Sequence, residues 1–355
     1  MSPLIELYND IKKAAQIINT GGLVAMPTET VYGLAADAFN KDAVARIYSA
    51  KGRPGDNPLI LHIANIDQFL ELSDSPPPYA MALAKAYWPG PLTLIVKKKP
   101  HLPGWLGGHP QRTAETVGIR MPAHPAAKAL IEAAGCPLCA PSANKAGKPS
   151  PTTAAHVAED FAQTGEVEMI LDGKSSEIGV ESTVVDVTGA QPVILRPGAI
   201  TEAMIREVTA KIATTNFKVD DDETNAPRAP GMKYRHYAPK APMTIFRGEP
   251  GNVAAQILDL LSSTVKTKPE NSHPTIGVLV TDSAKELLPS LPPNVKLLSL
   301  GSTNKSVAKN LFAHLRQFDN LGVSVIYAEA VPNTDLGTAI MDRMQKAAEG
   351  NIIDV

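Results

Sequence analysis

Two cysteines in 355 residues leave no room for a disulfide framework and suit a reducing compartment. Cys136 and Cys139 make a single C-x-x-C, with no second pair and no histidine at zinc-ligand spacing, so both read as small buried residues. Charge of one sign is equally scarce. A net charge of −2 and a pI near 6.5 give no basic footprint for nucleic acid, so any RNA contact would be local. Long apolar runs are missing too. Met1 to Asn19 carries Glu6, Asp10, Lys12 and Lys13, which does not suit a secretory signal, and no later run is long enough to span a bilayer. The expectation is a cytoplasmic protein with no membrane partner. Three catalytic signatures are also absent: G-x-x-x-x-G-K-[ST], a G-x-G-x-x-G after any strand of the second half, and the G-x-S-x-G elbow. Glu181-Ser182-Thr183 has no histidine–acid context marking a hydrolase triad.

The composition that remains, 44% hydrophobic and 20% charged, is that of an ordinary globular chain, and the length suits two domains. Leu7, Ile11, Ala14, Ala15 and Ile18 lie at helical spacing and predict an opening helix stopped by Gly21-Gly22. Leu23 to Met26 reads as a buried strand ended by Pro27, followed by the polar stretch Thr28-Glu29-Thr30-Val31-Tyr32-Gly33. This stretch is either a turn between strand and helix or a ligand rim on a strand end. Asn40 is placed to cap a helix that stops at Lys51-Gly52-Arg53-Pro54. Strands are predicted at Leu59–Ile63, Leu92–Val96, Val117–Met121, Val167–Leu171, Ser182–Val187 and Val193–Arg196, the last two as a hairpin turning at Gly189, with a helix over Pro125–Ala134. A strand also leads through Cys136-Pro137-Leu138-Cys139 into the polar loop Ala140-Pro141-Ser142-Ala143-Asn144.

Beyond residue 205 the composition shifts. Asp220 to Glu223 is an acidic run, and Pro227, Pro230, Pro239 and Pro242 then stand among Arg228, Lys233, Arg235, His236 and Lys240, predicting a stiff extended linker. From Met243 strands and helices alternate, as in a small parallel α/β domain. The expected layout is therefore a catalytic domain over 1–205 with a mixed sheet, a linker over 206–242 and a parallel α/β domain over 243–355.

Several residues in the first domain could carry chemistry. Lys51 and Arg53 at a helix end are either dipole caps or phosphate ligands. Arg120 and Arg196, in or at the end of apolar strands, are either structural ion pairs or parts of an anion site. Ser142, Asn144, Lys145, Lys148 and Ser150 put hydroxyls, an amide and charge on one loop, which Gly147 lets turn freely. His62, on its apolar strand, reads as a satisfied core histidine.

Pro27-Thr28-Glu29-Thr30-Val31-Tyr32-Gly33-Leu34, Lys51-Gly52-Arg53-Pro54 with Asn57-Pro58-Leu59, Pro141-Ser142-Ala143-Asn144 and Ser182-Thr183-Val184 occur in that order. Together they resemble the YrdC-type threonylcarbamoyl-AMP synthases. The phrase Ala229 to Pro239 and the α/β domain after it resemble the long, two-domain form of that family. The resemblance implies a YrdC-like α/β domain with a mixed twisted sheet, joined to a smaller Rossmann-like parallel α/β domain. It implies a nucleotidyltransferase that condenses L-threonine, bicarbonate or CO2 and ATP with Mg2+, releasing pyrophosphate. A separate tRNA threonylcarbamoyl-transferase system then consumes the product, so tRNA itself is not expected to bind in this step. By resemblance Thr30, His62, Arg120, Ala140 and Ser182 line the threonine site. Arg53, Asn57, Thr116, Ser142, Ser150 and Arg196 contact ATP, Lys51 and Asn144 flank its phosphates, and Tyr237 folds over the nucleotide. No protein side chain is expected to bind the metal. Two other readings are weaker. A carbamoyl-transfer maturation factor would carry cysteine-rich zinc fingers and a further domain, and an RNA-binding module would need the basic surface that the charge does not supply.

Overall fold

A computed structural model describes residues 3–161, 165–210, 218–219, 236–266 and 274–355; side chains are described from residue 10 onward and not at 218–219 or 264–266. The chain forms two units, one of residues 1–146 and 150–234, the other of residues 147–149 and 235–355. The first contains α1 (Pro3–Asn19), β1 (Val24–Met26), β2 (Gly33–Asp37), α2 (Lys41–Lys51), β3 (Ile60–His62), α3 (Ile66–Leu72), α4 (Pro78–Tyr87), β4 (Leu92–Lys97), β5 (Thr116–Arg120), α5 (Pro125–Ala134), β6 (Leu138–Cys139), α6 (Ala154–Phe161), β7 (Met169–Ile170), β8 (Thr183–Asp186), β9 (Val193–Arg196), α7 (Glu202–Ala210) and β10 (Lys218–Val219). Its sheet runs β10-β9-β8-β4-β5-β3-β6-β2-β1-β7 and mixes parallel with antiparallel pairs, as the sequence predicts. Two apolar clusters pack against it, one including Ile18, Met26, Leu130 and Ile131, the other Val44, Ile47, Phe69, Leu83 and Leu94.

Local chemistry explains the elements that carry the site. The Asn40 carboxamide accepts from the N–H groups of Asp42 and Ala43, both at 3.1 Å, and so starts α2. Gly52, at φ 62°, ends it in the left-handed conformation, and the Arg53 N–H returns to the Tyr48 carbonyl at 2.9 Å. That stop fixes where Lys51 and Arg53 project. The stretch after Pro27 departs from expectation, because it leads into β2 and not into a helix. Gly33-Leu34-Ala35-Ala36-Asp37 contains no β-branched or aromatic residue and gives no strand signal of its own. Antiparallel pairing with β1 on one side and β6 on the other imposes extended structure on it. Helices α3, α6 and α7 were likewise not foreseen.

The second unit contains β11 (Met243–Arg247), α8 (Pro250–Lys266), β12 (Ile276–Val280), α9 (Asp282–Glu286), β13 (Val295–Ser299), α10 (Asn304–Leu321), β14 (Val325–Glu329), α11 (Leu336–Ala347) and β15 (Ile352–Asp354). Every strand pairing is parallel and the order is β13-β12-β14-β11-β15, a Rossmann-like layout. The last edge strand, β15, is the one element the sequence reading missed here. The acidic run 220–223 and most of the proline-rich segment, through Arg235, lie outside the described residues.

Candidate active site

Strand register gathers the first cluster. His62 on β3 stands opposite Arg120 on β5, and Thr93 on β4 stands opposite Val184 on β8, which in turn faces Arg196 on β9. A side-chain period of two along each strand then sets a polar row across an otherwise apolar sheet. Arg120 Nη1 donates to Thr30 Oγ1 at 2.8 Å, and the Thr30 hydroxyl lies 2.8 Å from that of Thr28. Arg120 Nη2 approaches Glu29 Oε1 at 2.7 Å, both residues being buried. This is a contact of charges without aligned hydrogen bonds, since Nη2 and both Glu29 oxygens lack a well-directed partner among the described residues. Buried groups in that condition have hydrogen-bonding capacity left for a ligand. His62 lies deep in the same row. Burial and the adjacent Arg120 guanidinium lower its pKa to about 3, so the ring is neutral at ordinary pH.

Ser182 and Arg196 form the other end of the row. Ser182 Oγ is 2.8 Å from Thr93 Oγ1 and accepts from Arg196 Nη2 at 3.2 Å, while Arg196 Nε donates to the Ser182 carbonyl at 3.1 Å. Gly198 lets the following loop close on this pair. A Cβ there would lie 2.3 Å from the Thr183 nitrogen. Ser150 Oγ donates to Glu181 Oε1 at 2.5 Å, beside Ser182 in sequence. Ala140 is buried next to Gly33, whose hypothetical Cβ would come within 3.1 Å of the alanine methyl.

A second cluster forms at the end of α2. Buried Lys51 donates to the Asn144 carbonyl at 2.5 Å and to the Ser142 carbonyl, which fixes the polar loop. Arg53 Nε reaches the Asn57 carbonyl at 3.1 Å, and its Nη2 reaches Asn57 Oδ1 at 2.8 Å and the Pro58 carbonyl at 2.6 Å. The Tyr48 hydroxyl donates to the same Asn57 carbonyl. Beyond Asn57 a cleft of about 250 Å³ is lined by Asp56, Ile60, Ile95, His109, Thr116 and Gly118, on the sheet face that carries His62 and Arg120.

The structure thus joins Thr30, His62 and Arg120 at one end of the first cluster and Ser182 and Arg196 at the other, and Lys51, Arg53, Asn57, Ser142 and Asn144 in the second, with Thr116 in the adjoining cleft. Tyr237 is placed in the second unit. Its ring stacks on Phe312 at 5.1 Å, with the Arg343 guanidinium 5.8 Å from the ring centre. Residue-by-residue reading gave no role to Glu29 or Thr93. Glu29 lies inside the polar stretch Thr28 to Gly33, and its charge is the available signal. Thr93 carried none, because a threonine in a strand needs no explanation. Of the two cysteines expected to be buried, Cys139 is and Cys136 is only half-buried, with desolvation pushing its thiol up to about 12.

A mixed α/β sheet that presents buried charges of both signs is a setting suited to charged ligands. Residues 16–198 match the Sua5/YciO/YrdC family model, described as telomere recombination, and residues 200–349 match the C-terminal domain of threonylcarbamoyl-AMP synthase. The threonylcarbamoyl-AMP synthase of Pyrococcus abyssi is 45% identical over 97% of this chain and 96% of its own, and that of Bacillus subtilis 44% over 97% and 94%. The crystal structure of P. abyssi Sua5 complexed with L-threonine superposes with a TM-score of 0.86 at 43% identity, over 97% of this chain and 96% of that one. The chain belongs to the threonylcarbamoyl-AMP synthase family, a family of transferases that form an adenylate. No helix among the described residues is long and apolar enough to cross a membrane.

Proposed function

We propose that this protein condenses L-threonine, bicarbonate or CO2 and ATP into L-threonylcarbamoyl-adenylate and pyrophosphate. The observation that carries the reading is the Glu29–Arg120 pair beside Thr30: an incompletely satisfied carboxylate and guanidinium, side by side and buried, match an α-amino acid. Arg120 takes the amino acid's carboxylate in two-pronged fashion. Neutral His62 and the Ser182 hydroxyl bound the rest of the substrate, and Ala140 with Gly33 leaves room only for a short side chain. The threonine amine and CO2 form a carbamate with loss of a proton; with bicarbonate in place of CO2, water is lost and there is no net proton release. A carbamate oxygen then attacks the α-phosphorus of ATP, and pyrophosphate leaves with the electron pair of the broken P–O bond.

Both partners in that step are anions, so the protein's task is neutralisation and alignment rather than covalent catalysis. Arg53, Lys51 and Arg196 supply positive charge, and Asn57, Thr116, Ser142, Asn144 and Ser150 supply polar contacts to the nucleotide. Among the described residues no group of three or more His, Cys, Asp or Glu is placed to hold a metal. Mg2+ would come with ATP, on whose phosphates it would add charge neutralisation. The product passes to a tRNA threonylcarbamoyl-transferase system, with no tRNA contact in this step, and the cytoplasm is the compartment where these substrates meet.

The test is pyrophosphate release from ATP by the purified protein with Mg2+ and bicarbonate, with and without L-threonine. Release should depend on threonine and fall at least ~100-fold in Arg53→Ala, the loss of about 2.7 kcal/mol expected when one preorganised charge is removed. Release independent of threonine would overturn the proposal.

A further inference from the structure

The second unit has a cleft of its own, about 330 Å³, that the reaction above does not use. It lies beyond the carboxyl ends of β11, β12, β13 and β14, and all four following loops line it: Gly248–Pro250, Thr281 and Ser283, Ser302–Asn304, and Glu329–Pro332. In an open parallel sheet this is the edge where ligands bind, at points where successive connections leave for opposite faces. The order β13-β12-β14-β11-β15 creates such points, because the chain moves outward from β12 to β13 and then returns to insert β14 beside β11. Position alone would be weak. The lining gives it chemistry.

Glu329 ends β14 and faces the cleft, yet only 3% of it is exposed. Its Oε2 accepts the Thr281 N–H at 2.6 Å, and the Thr281 side chain also bears on the carboxylate. A carboxylate has about four acceptor positions, so the Thr281 donors leave acceptor capacity on a residue that lines the cleft. Burial raises the pKa of this carboxyl, which is the cost of holding an acid where it is incompletely solvated. The other polar lining groups are hydroxyls and an amide, from Thr281, Ser283, Ser302, Thr303 and Asn304, plus the Glu249 carboxylate. Among the described residues that line the cleft there is no lysine, arginine or histidine, so no side-chain cation favours a phosphate there. Its volume lies at the small end of the range for small-molecule sites.

We propose that this cleft binds a neutral ribonucleoside, with Glu329 accepting the vicinal 2′- and 3′-hydroxyls and the hydroxyl-rich loops holding the rest of the sugar. The ligand class follows from the donor–acceptor inventory: a buried acceptor needs donors, a vicinal diol supplies two, and the lining holds no side-chain cation to favour the phosphorylated forms.

The full-length protein is titrated by calorimetry with uridine, cytidine, guanosine and adenosine, each beside its 2′-deoxy counterpart, and with UMP. Wild type, Glu329→Gln, Ser283→Trp and Arg53→Ala are compared. Glu329→Gln keeps an acceptor for the Thr281 N–H, and melting curves report whether it folds. Ser283→Trp is a second variant that blocks the exposed lip without touching the carboxylate. At least one ribonucleoside should bind with Kd below about 1 mM, and its 2′-deoxy form and Glu329→Gln should each be about tenfold weaker. Ser283→Trp should abolish binding and Arg53→Ala should leave it unchanged, which separates this cleft from the nucleotide site of the first unit. Three results would sink the idea: no nucleoside binding, equal affinity for ribo and deoxy forms, or binding lost in Arg53→Ala but kept in Glu329→Gln. Tighter binding of UMP than of uridine would also overturn it, since the cleft would then be an anion site.

Discussion

A buried arginine is tolerable only where its charge is answered, and Arg120 is answered on two sides by groups of different kinds. Thr30 gives it a directed hydrogen bond, whereas Glu29 gives it charge at close range without alignment. Glu29→Gln keeps the shape and removes the charge. It should raise the KM for threonine at least ~10-fold, with ATP affinity measured without threonine unchanged. Thr93 acts one step removed, through Ser182. Thr93→Val leaves the Ser182 hydroxyl short of a partner, at a cost of about 1 kcal/mol, and the threonine KM should rise ~5-fold while kcat holds. His62 supplies a pH signature. Its pKa is lowered in the folded protein, to about 3, from about 6.5 when unfolded, so between those values the unfolded chain binds the extra proton. Its contribution to stability is complete above pH 6.5 and is lost progressively as pH falls toward 3. In His62→Asn the denaturation midpoint should depend less on pH across that window, and an unchanged slope would contradict the assignment.

At the scale of the element, the site depends on where strands and helices stop. Helix α2 delivers Lys51 and Arg53 because Asn40 starts it and Gly52 ends it. Asn40→Ala should cost about 1 kcal/mol in chemical denaturation, with activity at saturating substrate nearly intact, since the cap lies at the far end from the cations. Gly198→Ala is a different case. A methyl group 2.3 Å from the Thr183 nitrogen and 2.7 Å from the Ser182 carbonyl carbon meets backbone that cannot swing aside. The loop after β9 must shift, carrying Arg196 off Ser182. We expect more than about 2 kcal/mol of destabilisation together with a loss of threonine-dependent turnover.

At the scale of the whole molecule, the chain visits the second unit twice, briefly at Gly147–Pro149 and then from Arg235 onward. Within that unit the buried Arg316 donates to the Pro149 carbonyl through Nε at 3.1 Å and Nη2 at 2.7 Å, and the Ala238 N–H donates to the Gly147 carbonyl at 3.0 Å. Arg316→Ala leaves the Pro149 carbonyl without these donors, and chemical denaturation should show a loss of about 1–3 kcal/mol. An unchanged midpoint would mean that these hydrogen bonds contribute nothing to the stability of the second unit.

Hydropathy period, helix stops and the ordered polar phrases determined the two α/β domains and most of the strands, and named the side chains from which the proposed site is argued. These are local signals: Asn40, Gly52 and the run Leu92–Val96 express their preferences through their immediate neighbours. β2 was not legible, because Gly33 to Asp37 is extended only by virtue of the strands on either side of it. Glu29 was in view as a charge, but its meaning lies in Arg120, 91 positions later, which the fold brings within 2.7 Å of it. Thr93 and the Glu329 cleft are further from sequence still, since each is defined by what long-range pairing sets beside it. Sequence determined which side chains were available, and tertiary structure alone decided which of them meet, because burial and strand register act on residues the chain keeps far apart.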